Sequence, residues 1–241
     1  MKRFLLFSVL IAFLFGMLLQ QAVAVSPVGK TATKWGEIKS SNASIASVKL
    51  APPPFSCVRL DVYFIPQVPP GNWSNTKNCG QASVLNCVCY LRRVCMSYTA
   101  ITGENKWLAN AFNEPRYLDP NGYFTGGNKI GRLEMLARNY WCYRNSAATT
   151  NYSSNIDALY NELWNKHPVV VEVMTNMASS TANGDTYHFM VLVGMSIGTS
   201  DFNSYVWVND VGKTNGKDRR YTLEQFKKSW ATSNNHCVFI R

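Results

Sequence analysis

The feature that most constrains this chain is a cysteine that opens a helix apolar around most of its circumference. From Cys79-Gly80-Gln81-Ala82 to about Met96, Val84, Val88, Leu91 and Cys95 make one stripe, and Leu85 and Cys89 widen it. A helix apolar that far round must be surrounded by other elements, so it is central and buried. Its first turn carries backbone N–H groups without intrahelical partners and the positive end of the helix dipole. Both favour a thiolate at Cys79. Such a thiol becomes a nucleophile if a base reaches it from elsewhere in the chain.

The surrounding elements follow from periodicity. Val58 to Ile65 alternates loosely and predicts a short strand. Residues 97 to 130 are polar and carry the turn signals Asn121-Gly122 and Gly126-Gly127-Asn128. Gly131 to Tyr140 and Asn155 to Lys166 read as helices, the second stopped by His167-Pro168. Pro168 to Met174 is a β-branched run expected to be a buried strand. After a polar loop come strands over His188 to Met195 and Tyr205 to Asn209. Thr222 with Gln225 predicts a capping box for a helix to Trp230, and Cys237 to Ile240 closes the chain as a strand. Helices come first and most strands later, an α+β pattern rather than a βαβ alternation.

The N-terminus predicts export. Lys2 and Arg3 precede an uncharged run from Phe4 to Leu19, and Ala22-Val23-Ala24 supplies the small residues of a cleavage site. That is a secretory signal peptide over residues 1–24 with a cut after Ala24; retention as an anchor is the competing reading. A secreted, periplasmic or cell-surface location is expected. Residues 25–56, rich in Ser, Ala, Thr and Lys and ending in Pro52-Pro53-Pro54, read as a flexible leader, leaving residues 57–241 as one domain. Removing the signal takes two of the 24 basic residues and no acidic one, leaving 22 against 14 and a net charge of +8. Such a charge suits contact with anionic surfaces. The basic residues are scattered rather than striped, which argues against nucleic acid as a partner. A monomer is expected.

Seven cysteines in an exported chain invite disulfides. Setting Cys79 aside leaves six: Cys57, Cys87, Cys89, Cys95, Cys142 and Cys237. Cys87, Cys89 and Cys95 share one helix at spacings that keep their Cα atoms pointing apart or beyond the roughly 7 Å a disulfide allows. Full oxidation would join each of them to Cys57, Cys142 or Cys237; otherwise one or more, Cys89 especially, is a reduced core residue. Cys87 and Cys89 lack the spacing of a zinc site, and neither a metal nor another cofactor is expected.

Three histidines are available as the base. His167 ends a helix before Pro168, and His236 lies beside two asparagines near the C-terminus. His188 begins an otherwise apolar strand directly after a polar loop, where an active site would meet solvent. A hairpin turning around Gly198 to Asp201, centred near residue 199, sets His188 opposite Asp210. Side-chain alternation lets only one of Asn209 and Asp210 face it. Asp210 is favoured, because a carboxylate stabilises an imidazolium more than an amide does. The Cys79 N–H with a side-chain amide would form an oxyanion hole, with Gln67 the donor and Gln81 the weaker alternative.

Gln67, Asn78-Cys79-Gly80-Gln81-Ala82, Tyr187-His188-Phe189 with Leu192-Val193-Gly194, and Val206 to Asp210 together resemble the papain-like peptidases of the bacteriocin-processing (double-glycine leader) type. Among these they are most similar to stand-alone secreted relatives. The resemblance covers roughly residues 60 to 240. It implies a papain-like fold in which a central N-terminal helix carrying the cysteine packs on an antiparallel sheet carrying the histidine and aspartate. It also implies catalytic Cys79, His188, Asp210 and Gln67, acting on a peptide or amide bond. The family's fused membrane exporter has no counterpart in this sequence, so cleavage of leaders on the cytoplasmic side does not carry over. The Gln67–Cys79 gap is longer than in exporter-fused members. A cell-wall amidase or transpeptidase on the same fold, and a catalytically silent disulfide-stapled binding domain, are the alternatives; a protease-inhibitor or toxin-like scaffold suits the long buried helix least.

Overall fold

The computed structural model describes residues 57–68, 76–94, 96–97, 99–127, 129–140, 148–180 and 186–241, all within one compact unit. The signal and leader, Cys95 and Cys142 lie outside these residues.

The organising element is an antiparallel sheet built around one long strand. The β-branched run forms β3 (Val169–Met174), which pairs with β4 (Tyr187–Ser196) from Val169↔Leu192 to Met174↔Tyr187. Every residue of β4 from His188 to Met195 is buried, so both its faces are covered. The sheet runs β2 (Thr149–Asn151), β7 (Cys237–Phe239), β3, β4, β5 (Tyr205–Asn209), β6 (Arg219–Thr222). The short β1 (Cys57–Arg59) pairs with the C-terminal half of β4, where β3 has ended. β2 and β6 were not expected from the sequence: at three and four residues with polar side chains, they carry little periodic signal. Their Thr and Arg content suits the two outer edges of a sheet, where apolar strands would invite pairing with other chains.

Helix α1 (Cys79–Arg92) packs against β4 and β3, and every residue from Gly80 to Cys89 is buried. It ends before the expected Met96 because Arg93 turns left-handed (φ 54°) and the N–H groups of Arg93 and Val94 return to the Tyr90 and Cys89 carbonyls. Of the expected first strand, Val58 to Ile65, only Val58 and Arg59 pair in the sheet, and the Leu60 N–H still donates to the Val193 carbonyl at 2.8 Å. Further along, the backbone is held by a side chain instead. Asn86 of α1 accepts from the Ile65 N–H at 2.9 Å and donates to the Ile65 carbonyl at 2.9 Å, standing in for a neighbouring strand.

Residues 99–111, read as turn-rich, form helix α2 (Thr99–Ala111). Its buried positions Ile101, Glu104, Asn105, Leu108 and Ala109 have helical spacing, but two of the five are polar and Gly103 interrupts them, which hid the period. α3 (Ile130–Met135) continues as a π-helical turn to Tyr140. α4 (Ile156–Trp164) is capped by Asn155, whose side chain accepts from the Ala158 N–H. α5 (Leu223–Ala231) has the expected capping box between Thr222 and Gln225.

The three-disulfide arrangement is not found: Cys57, Cys87 and Cys237 are free thiols. Cys57 faces solvent, whereas Cys87 and Cys237 are fully buried. Burial drives the Cys87 thiol pKa strongly upward and that of Cys237 up to about 12, which keeps both inert.

Candidate active site

Four segments converge on the start of α1. The first turn of α1 contains no acidic residue, so no like charge in that turn opposes a thiolate at Cys79. Asn78, fully buried just before it, ties the neighbouring segments together. Its Oδ1 accepts from the Phe124 N–H at 2.7 Å and from Asn105 Nδ2 of α2 at 3.0 Å, while its Nδ2 donates to the Gln67 carbonyl at 3.3 Å. Gln67 is fixed from its other side, where its N–H donates to the Val211 carbonyl at 2.9 Å. Gln67, Cys79, His188 and Asp210 thus line one cleft of about 520 Å³. Gln81 is buried in α1 and does not line it.

His188 stands at the start of β4, and its Nε2 lies 2.8 Å from Asp210 Oδ1. The ring also hydrogen-bonds Cys79; with Nε2 taken by Asp210, Nδ1 is the nitrogen that faces the thiol. Burial disfavours the Cys79 thiolate. The hydrogen bond and charge of His188, with the N–H groups of Phe189 and Gly80, outweigh it and lower the thiol pKa. Burial likewise disfavours the imidazolium, yet Asp210 and Cys79 raise His188 to about 9. Burial pushes the Asp210 carboxyl up, and His188, the Gly212 N–H and the charge of Arg219 pull it below its ordinary value. The three groups therefore favour a thiolate, an imidazolium and a carboxylate in a row.

The remaining candidates sit elsewhere. Asn209 points away from His188: its Nδ2 donates to the Val62 and Tyr63 carbonyls, and its Oδ1 accepts from the Asp218 N–H at 3.0 Å. His167 pairs with Glu162 at 3.1 Å and His236 with Glu172 at 2.8 Å. The hairpin does not bring residue 188 opposite 210. The ladder pairs Val191 with Asn209 and shifts register at a bulge between Leu192 and Gly194. Continued three residues further, the same register sets Gly212 across from His188, and Asp210 reaches the ring diagonally.

Gly212 and Gly216 were missed in the sequence, where they read as ordinary loop glycines. A Cβ on Gly212 would stand 2.9 Å from His188 Cε1 and 3.0 Å from Nε2, and one on Gly216 would lie 1.8 Å from the Asp210 carbonyl oxygen. Asp210 is held by its own N–H donating to the Gly216 carbonyl at 2.8 Å and by the Gly212 N–H on Oδ1 at 3.1 Å. Gly212→Ala is therefore expected to push the imidazole off line while leaving the fold intact. Displacements of about 1 Å cost roughly 100-fold in rate. Measuring kcat/KM beside the circular dichroism spectrum checks this, and an unchanged rate would mean that the ring tolerates the methyl group. Asn78 had a partial signal in the Asn-Cys-Gly triplet, but its partners Asn105 and Phe124 lie too far along the chain to be read.

Comparison with known proteins fits this geometry. The model of the Peptidase_C39 like family matches residues 60–238. Among solved structures, a protein described as a C39-like peptidase from Bacillus anthracis superposes with a TM-score of 0.53 at 19% identity. The match covers 77% of this chain and 98% of that one, and it supports the α+β fold. No curated protein matches.

Proposed function

The chain belongs to the Peptidase_C39 like family, and from that premise we propose that it is an exported cysteine peptidase working through Cys79, His188, Asp210 and Gln67. The observation that carries this reading is the continuous hydrogen-bonded row from Cys79 through His188 to Asp210 in one cleft. The Cys79 thiolate attacks the carbonyl carbon of the scissile amide, and the C=O pair moves onto oxygen. The Cys79 N–H, in the first turn of α1, and the Gln67 side-chain amide hold that oxyanion. As it collapses, the C–N bond breaks, and His188 delivers its proton to the leaving amine. A thioester remains. His188, now neutral, takes a proton from water, whose oxygen attacks the thioester and frees the acid and the thiolate. Asp210 fixes the ring orientation throughout and supports its charge. The signal-like N-terminus and the basic charge support an exported location.

The test is incubation of the purified protein with a peptide library and, beside it, with peptidoglycan fragments, with products read by mass spectrometry. Cleavage of open peptides supports the peptidase reading, and activity confined to wall fragments replaces it with cell-wall amide hydrolysis. A thiol-directed probe at neutral pH should label Cys79 ahead of Cys57, the exposed thiol; equal labelling would remove the low-pKa argument. Gln67→Ala should cost about 10²–10³ in kcat with KM little changed, as loss of an oxyanion donor does.

A further inference from the structure

We propose that Lys213 selects substrates carrying a carboxylate within the first two residues after the scissile bond, on the departing half. The inference rests on the peptidase reading above and deepens it. The imidazole that protonates the leaving amine must lie beside it, so the departing half of the substrate runs along the His188 side of the cleft. Gly212 backs that ring in close contact, and Lys213 follows directly and lines the same cleft. Its position is fixed, because the Lys213 N–H donates to the Asp210 carbonyl at 3.1 Å in the turn that Gly216 closes. The exposed side chain can then extend from a rigid base.

Charge accounting gives the preference its sign. Among the described residues lining the cleft, both carboxylates are already engaged: Asp210 with His188 and Glu172 with His236. Lys213 forms no ion pair among the described residues and lines the cleft directly after Gly212, which backs the imidazole. It is a cation of the lining without a carboxylate of its own. A glutamate or aspartate side chain, or the terminal carboxylate of a short departing peptide, is the complementary group.

The experiment takes a peptide cut by the wild-type protein, its bond located by mass spectrometry, and compares Glu, Gln and Lys at each of the two positions after that bond. For the wild type, kcat/KM is expected to fall about fivefold from Glu to Gln, the size of a well-placed exposed ion pair, and further for Lys. The preference should shrink as salt is raised. Lys213→Met should erase the difference while keeping the rate on the Gln peptide, and Lys213→Glu should reverse the order. Equal rates on Glu and Gln peptides, or a preference that survives Lys213→Glu, would overturn the proposal and leave the peptidase reading standing. A folded wild-type protein that cuts no peptide at all would overturn both.

Discussion

Cys79→Ala is expected to lower kcat by about five to six orders of magnitude, the loss seen when a nucleophile is removed from a coupled triad. Thermal stability should barely move. The side chain is small and part-buried in the cleft, and the residues that anchor α1 are others. Asn78 holds three segments and Asn86 holds the approach to Gln67, and neither depends on the sulfur. Removing the thiolate also removes one of the two groups that raise the pKa of His188. NMR titration of the imidazole in Cys79→Ala should therefore show a value below the wild-type value of about 9. A variant that keeps measurable turnover would reassign the nucleophile.

Asp210→Asn is the second large effect, expected at about 10²–10⁴ in kcat/KM. The carboxylate supports a buried imidazolium, and an amide in its place leaves that charge poorly compensated. His188 then falls from about 9 toward or below its ordinary value, and the Cys79 thiol, deprived of a cationic partner, rises. In the wild type the reactive pair exists above the lowered thiol pKa and below about 9, so the rate profile is a bell with its alkaline limb near pH 9. In Asp210→Asn both limbs move inward. The stability that protonated His188 contributes is present in full below its unfolded value of about 6.5 and is lost as pH rises through about 9. A wild-type profile without an alkaline limb near pH 9, or an Asp210→Asn profile that keeps it, would contradict this account.

The elements with strong local periods were legible in the sequence because their burial is written into their own residues. The apolar girth of α1, the β-branched run of β3 and the Thr222–Gln225 capping box each require only neighbours in the chain. α2 was not legible, since its buried face includes Glu104 and Asn105, polar residues whose burial depends on distant segments. Asn105 is buried because it donates to Asn78 and to the Gly122 carbonyl. The fate of the cysteines was equally non-local: an even number of candidates gives no distance between them.

The sequence by itself determined that a thiol stands at the start of a buried helix, and that His188 opens a strand whose neighbour ends in Asn209-Asp210. Only the tertiary structure decided which of that pair meets the histidine, through one bulge. Counted from the turn, the ladder pairs Ser196 with Tyr205 and Gly194 with Trp207. Extended without interruption, that register would put Asn209 on the face of His188. The extra residue at Val193 shifts the pairing to Leu192↔Val208 and Val191↔Asn209. Because sides alternate along a strand, one residue of shift exchanges the faces. Asn209 is turned to the Val62 and Tyr63 carbonyls, and Asp210 is turned to His188. A bulge reflects how β4 satisfies β3, β1 and β5 together, and that balance is set by packing across the sheet rather than by the residues of any one strand.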